Sequence, residues 1–320
     1  MISPQNPILS VVIAIVSDTT DPQAGVGLLA GCLEALSHQV NPPPMEIIVP
    51  YHEKNVDGIE TLQSQFSHVN FFPVTGLKTS SAKVATREHH DTLRARGLLA
   101  AQGDLIALVE DHARPDKNWC ANILAAHRTG YAAIGGAIEN GIDRPLNWAV
   151  YYCDFGRYQN PLPSGMSAFA SDANVSYKRS ALEAIRMTWE QSFREVVVNG
   201  TLMARGDGVA LRHDIIVHQH RSDLRLSDAL RERFIWGRSY AATRCALVSH
   251  SKRAIYAVLS PLLPGVLMLR MTVTAWKRRR HFGKFLRSCH LIFILLISWS
   301  LGECVAYLRG VRCHLRDNPS

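Results

Sequence analysis

The feature that most restricts the fold of this 320-residue chain is an alternation in its first third, where short β-branched apolar runs take turns with segments of helical periodicity. Leu9 to Val16 (LSVVIAIV) has the length and branching of a buried strand and ends in Ser17-Asp18-Thr19-Thr20-Asp21-Pro22. From about Val26 to Gln39, Leu28, Leu29, Cys32, Leu33 and Leu36 recur at helical spacing until Asn41-Pro42-Pro43-Pro44 ends the run. Glu46 to Val49 and Val69 to Val74 read as strands, and Ile59 to Phe66 and Thr86 to Ala101 as helices. Gly103-Asp104 then turns into a fourth apolar run, Leu105 to Val109. Such alternation predicts an α/β domain with a mostly parallel sheet covered on both faces. In an open sheet of that kind, ligands sit just beyond the carboxyl ends of the strands.

The fourth run ends abruptly in Glu110-Asp111-His112. Two hard oxygen donors and an imidazole suit a divalent cation such as Mn2+ or Mg2+, and a cation there suits a phosphate-bearing ligand. Gly25-Val26-Gly27-Leu28-Leu29-Ala30-Gly31 follows the first strand, but it has one residue too many for a dinucleotide fingerprint. No acidic residue ends the second strand, which argues against a nicotinamide cofactor. Further on, Trp119 to His127 reads as helix and Ala132 to Ile138 as a glycine-bearing strand. Residues 140–170 look irregular, and a loop of that length in a compact domain is usually functional. Ser171 to Arg179 leads into another helix. Glu190 to Val198 is expected to be helical and ended by Asn199-Gly200, and Val209 to Val217 to be a strand with His218-Gln219-His220 at its end.

The formal net charge of +8 calls for an anionic partner. Much of the charge lies late, in Leu226 to Arg244 and in Lys277-Arg278-Arg279-Arg280, beside two apolar runs, Ala254 to Ala275 and Leu291 to Leu308. Acidic lipid fits that juxtaposition better than nucleic acid, for which the chain has no recognisable module. Either apolar run is near the lower limit for a membrane span. Positive charge on both flanks of the first run favours a re-entrant or in-plane element, with the second run inserted more deeply and the basic segment on the cytoplasmic side. Seven cysteines with no Cys-x-x-Cys pair point to a reducing compartment and away from structural zinc.

Taken in order, these motifs resemble the family 2 glycosyltransferases, which have the GT-A fold; the resemblance covers roughly residues 8–245. LSVVIAIVSD is similar to that family's opening strand. Arg94-Ala95-Arg96-Gly97, with Ala101-Gln102-Gly103-Asp104 after it, is similar to its arginine-asparagine-x-glycine helix. Glu110-Asp111-His112 falls where the family has Asp-x-Asp, with Pro115 and Trp119 where a proline and an aromatic usually follow. Asp172 to Arg179 resembles the segment after the acceptor loop, and Glu190, ten residues before Gly200, lies close to the family's catalytic acid.

The resemblance implies an inverting transfer of a sugar from a nucleoside-diphosphate sugar to a hydroxyl on a glycan or a lipid-linked acceptor, at the cytoplasmic face of the cell membrane. It implies donor contacts from Ser17, Asp18, Arg94, Glu110, Asp111 and Asn174, a cation held by Asp111, His112 and His218, and Glu190 as the catalytic base. A catalytic domain over 1–225 would precede a membrane-associated region over 226–320. The competing expectation is a membrane-bound protein that binds nucleotide sugar without turning it over, because Glu110 and His112 replace both outer aspartates of the usual motif.

Overall fold

The computed structural model describes residues 7–17, 24–53, 56–77, 87–245 and 248–309. They form two compact units: Met1–Gly141 with Tyr158–Arg221, and Ile142–Arg157 with Ser222–Ser320.

The first unit is α/β. Among its described residues nine strands make one mixed sheet. β1 (Leu9–Ala14), β2 (Met45–His52), β3 (Asn70–Val74) and β4 (Leu105–Glu110) are parallel. Helices α1 (Ala24–Ser37), α2 (Val56–Gln65) and α3 (Arg87–Ala100) connect them. Every residue of β1 is buried, as its unbroken apolar run requires of a strand covered on both faces. The chain then adds β5 (Ala113–Pro115), α4 (Trp119–Ala126), β6 (Ala133–Asn140), the two-residue β7 (Gly165–Met166) and β8 (Asn174–Lys178). Helices α6 (Arg179–Glu183) and α7 (Glu195–Ala204) precede β9 (Val209–Gln219).

The strand order is β3-β2-β1-β4-β8-β6-β9-β5, with β7 on β9. After β1 the chain builds outward through β2 and β3, then returns to place β4 on the other side of β1. The order therefore reverses between β1 and β4, where crevices open at the carboxyl ends of such sheets. Beyond β4, β8 runs antiparallel and is enclosed by β4 and β6. Gly136 lets β6 bend at the bulge against β9: a Cβ there would collide with the Ile215 carbonyl and the Asn174 side chain.

Ser171 to Arg179 leads into helix α6, as expected, by way of a strand over Asn174–Lys178. One sequence expectation in this unit needs correction. The helix expected over Glu190 to Val198 begins instead at Glu195 and runs through Asn199-Gly200 to Ala204. Asn199 does not end it because the side chain is buried and already occupied: it accepts from Tyr177 Oη at 2.9 Å and donates to the Ala170 carbonyl at 3.3 Å.

The second unit is helical. α5 (Pro145–Asp154) lies inside the stretch expected to be irregular. Pro145 is pre-set for a first helical turn, and Trp148, Tyr151 and Tyr152 recur at i, i+3 and i+4. α8 (Leu226–Cys245), α9 (His250–Leu259), α10 (Leu263–Arg278) and α11 (Phe282–Arg309) follow. A single 3-10 turn, Ser260–Leu262, joins α9 to α10. Two helical stretches, His250–Arg278 and Phe282–Arg309, are long and apolar enough to cross a membrane. α8 and α11 touch through glycine: a Cβ on Gly237 would strike the Trp299 carbonyl, and one on Gly302 the Phe234 carbonyl.

Two stability predictions follow from this packing. His127 is buried, its Nε2 lies 2.9 Å from Ser176 Oγ, and desolvation followed by the nearby Lys178 charge pushes its pKa from 6.5 down to about 4. A base depressed in the folded state contributes stability above its unfolded pKa and loses it as pH falls through the folded one. His127→Gln is thus expected to remove about 3 kcal/mol of the stability difference between neutral pH and pH about 4. Urea titrations of both proteins across that window measure it. In the second unit, Gly302→Val should cost about 1–3 kcal/mol by forcing α8 and α11 apart. Gly265→Ala, in open space on α10, should instead stabilise by about 0.4–1 kcal/mol. Denaturation in mild detergent reads both.

Candidate active site

The carboxyl ends of β1 and β4 meet in a set of buried polar contacts. The parallel register pairs Ala14 with Glu110, so the residues that leave each strand emerge side by side. Asp111 N donates to the Ala14 carbonyl at 3.1 Å, and Val16 N donates to Asp111 Oδ1 at 3.1 Å. His112 Nδ1 lies 3.3 Å from both Asp111 Oδ1 and Ser17 Oγ, while its Nε2 lies 3.5 Å from Glu110 Oε2. The imidazole thus sits between the two carboxylates.

Arg94, on α3, closes the group from below the strand end. Its Nη2 lies 3.1 Å from Asp172 Oδ2 and 3.3 Å from Glu110 Oε1, and its Nη1 3.6 Å from Asp91 Oδ1. The guanidinium is buried. Burial alone would ease its proton off, but Asp172, Glu110, Asp91 and Glu195 together outweigh that and hold the charge more firmly than usual.

The two neighbouring carboxyls are driven in opposite directions. Desolvation raises the Glu110 pKa despite the opposing His112 and Arg94 charges, and Asp172 and Asp111 push the same way. Asp111 is also desolvated, yet hydrogen bonds from His112, Ser17 and the Val16 N–H overcome burial and hold it below the ordinary carboxylate range. The surroundings thus favour the anion at Asp111 and disfavour it at Glu110.

Among the expected donor and metal residues, the structure gathers Ser17, Arg94, Glu110, Asp111 and His112. Asp18 lies outside the described residues. Asn174 belongs to the frame of the site: it is buried, its Nδ2 donates to the Ala137 and Ile215 carbonyls at 2.9 Å each, and its Oδ1 accepts from Trp119 Nε1 at 2.9 Å. These bonds tie β8 to β6, β9 and α4 and occupy the amide on both sides. His218 sits on β9 opposite Arg114 of β5 and Glu139 of β6. Among the described residues no group of three or more His, Cys, Asp or Glu is disposed to hold a metal ion.

One atom of the group fits the chemistry of a cation ligand. Asp111 Oδ2 is buried and has no hydrogen-bond partner among the described residues. An anionic oxygen left without a partner is costly and calls for a cation or a donor. Mg2+ and Mn2+ at phosphate sites are commonly held by one or two carboxylates, with phosphate oxygens and water completing the shell, so a three-residue cage is not required.

Glu190 pairs within its own segment. It follows a 3-10 turn, Arg186–Thr188, and its Oε2 accepts from Arg186 Nε at 3.3 Å; Arg186 also meets Glu183 at 3.1 Å. Glu195 opens α7 instead, close enough for its charge to act on Arg94 and Tyr177. Sequence reasoning missed Asp91 and Asp172 as partners of Arg94. Asp91 was open to discovery, since Asp91-x-x-Arg94 is an i, i+3 pair on a predicted helix. Asp172 carried no such local sign.

No family model matches this chain, and no curated protein matches it either.

Removing the guanidinium should expose how the site is balanced. Arg94→Met leaves Asp91, Glu110 and Asp172 facing one another without their shared cation, and is expected to destabilise the first unit by about 3–5 kcal/mol. Glu110→Gln added to it should recover part of the loss, because one of the mutually repelling charges goes. Urea denaturation of the single and double variants checks the pair; a double variant no more stable than Arg94→Met would refute it.

Proposed function

We propose that the chain is an inverting glycosyltransferase of the GT-A, family 2 type. In this reading it moves a sugar from a nucleoside-diphosphate sugar to a hydroxyl of a glycan or lipid-linked acceptor at the cytoplasmic face of a membrane. The observation that carries the reading is the Glu110-Asp111-His112 group at the point where strand order reverses, the usual seat of a nucleotide in an open α/β sheet.

Each residue then has a task. A divalent cation bound at Asp111 Oδ2 would neutralise charge developing on the leaving diphosphate. Asp111, held as a firm anion, supplies its fixed ligand; His112 and Ser17 orient that carboxylate. Arg94 fixes Glu110 and Asp172 around the donor crevice. The acceptor O–H must give its proton to a carboxylate as its oxygen bonds to the anomeric carbon, while the bond from that carbon to the diphosphate oxygen breaks and the diphosphate leaves with the electron pair. A single displacement inverts the anomeric centre. Sequence reasoning assigns the base to Glu190. The pairing of Glu190 with Arg186, and the nearness of Glu195 to the Arg94 network, favour Glu195.

Incubating the full-length protein with a panel of nucleoside-diphosphate sugars and Mn2+, and assaying nucleotide release, tests the function. Asp111→Asn should abolish release, and excess chelator should do the same. Glu195→Gln should lower turnover on the order of 10²- to 10⁴-fold with donor affinity nearly unchanged. Glu190→Gln should stay within a few-fold of the parent; the reverse ranking would return the role to Glu190. A protein that binds nucleotide sugar in thermal-shift assays but releases no nucleotide with any acceptor would be the non-catalytic binder that the altered Asp-x-Asp motif allows.

A further inference from the structure

We infer that the second unit docks on an anionic membrane surface as an in-plane hairpin, and that neither of its long apolar helices crosses the bilayer. The inference concerns only this unit and does not rest on the chemistry assigned to the sheet.

α9, the Ser260–Leu262 turn and α10 form one continuous helical stretch of 29 residues, about 43 Å long. Along it Ile255, Leu259, Leu262, Val266, Leu269 and Val273 recur every three or four residues and are all exposed, Leu269 to 66%. Large side chains at that spacing make a single apolar face from one end of the stretch to the other. Basic residues bracket the face: Lys252 and Arg253 at one end, Lys277 to Arg280 at the other, with the Arg279 guanidinium 4.8 Å from the Trp276 ring centroid. A spanning helix would need its basic ends on opposite sides of the membrane. A helix lying in the interface brings both ends to the same layer of acidic headgroups, which is what this charge pattern complements.

After a tight turn in which Arg279 and His281 take positive φ, α11 returns against α9. Ser300 Oγ donates to the Ser260 carbonyl, and Ala257, Ala306 and Tyr307 share a buried cluster with Ala241 of α8. α11 shows its own apolar face, which includes Phe293, Ile297, Leu301 and Leu308.

α8 decides against a crossing. It runs alongside the last third of α11, from the Ser298 Oγ bond to the Leu230 carbonyl at 2.7 Å to the Arg244 Nη1 bond to Tyr307 Oη at 3.3 Å. Between these two points Gly237 lies against the Trp299 backbone, and Gly302 against the Phe234 and Arg238 backbones. α11 therefore cannot enter the hydrocarbon without α8. α8 exposes Arg231 and Arg238, seven residues apart on one face, and arginines turned towards lipid tails at that depth are strongly disfavoured. With the hairpin in plane, the exposed faces of α9–α10 and α11 bury in the headgroup boundary while those arginines stay in water or among phosphates.

The test uses the full-length protein and sedimentation with phosphatidylcholine vesicles, with and without phosphatidylglycerol. Binding should require phosphatidylglycerol and weaken with salt. Leu262→Glu with Leu269→Glu, both at exposed positions, should lower vesicle partitioning on the order of 10-fold or more while circular dichroism stays unchanged. Lys252→Glu with Lys277→Glu should lower it specifically on phosphatidylglycerol. Cysteines at Lys252 and Arg279 settle the geometry by labelling with a membrane-impermeant maleimide above the wild-type background in inverted membrane vesicles. Both positions should label from the same side. Labelling from opposite sides would overturn the proposal, because α9–α10 would then span. So would indifference to vesicles combined with dimers that the Leu262→Glu, Leu269→Glu variant dissolves, which would assign the face to a second copy of the chain.

Discussion

The first unit depends on one buried cation. Arg94 projects from α3 into the gap beside β4 and satisfies carboxylates from three places in the chain: its own helix, the end of β4 and the segment before β8. Burying a charge is tolerable only where it is paired and hydrogen-bonded. Here pairing fixes the position of α3 against the sheet and draws the Asp172 segment in beside Glu110. The same contacts therefore join the parallel half of the sheet to its antiparallel half and shape the crevice at their junction.

The frame around that crevice is built with uncharged groups. Asn174 and Trp119 tie β8, β6, β9 and α4 together, and Tyr177 with Asn199 does the same for β8 and α7. Neutral amides and hydroxyls hold their geometry whatever the protonation of the crevice. The charged groups, Glu110, Asp111 and Arg94, gather instead at the strand ends, where they pair with one another and with His112.

The parallel strands were legible because burial on both faces demands unbroken apolar runs, and β1, β2 and β4 have them. The Glu110-Asp111-His112 group was legible for the same reason: polar residues directly after such a run mark where the strand leaves the core. β8 was not, since Asn-Val-Ser-Tyr-Lys lacks an apolar run and owes its place to side-chain bonds from distant segments. α5 was hidden by a surrounding wealth of Asn, Pro and Gly, although its aromatic spacing was helical. The start of α7 at Glu195, five residues after Glu190, was not legible either, being the kind of boundary that local propensity leaves loose. The partners of Arg94 were hidden by distance: Asp172 is 78 residues away, and only the fold brings it near.

Charge balance bears on what the crevice can accept. Three carboxylates, Asp91, Glu110 and Asp172, stand around the buried Arg94 guanidinium, a fourth, Asp111, pairs with His112, and Arg194 reaches Asp91 at 4.0 Å. An anionic diphosphate brought to that place on its own would meet net repulsion in a low-dielectric setting. Two features reduce it. Desolvation raises the pKa of Glu110, which favours its neutral form, and on the proposed reading a divalent cation at the unpartnered Asp111 Oδ2 would offset part of the negative charge. Of the two, only the cation supplies attraction, since protonating Glu110 merely removes a repulsive charge. On the proposed reading, Asp111 is the residue that would hold such a cation, because its Oδ2 is the carboxylate oxygen of the group left without a partner among the described residues.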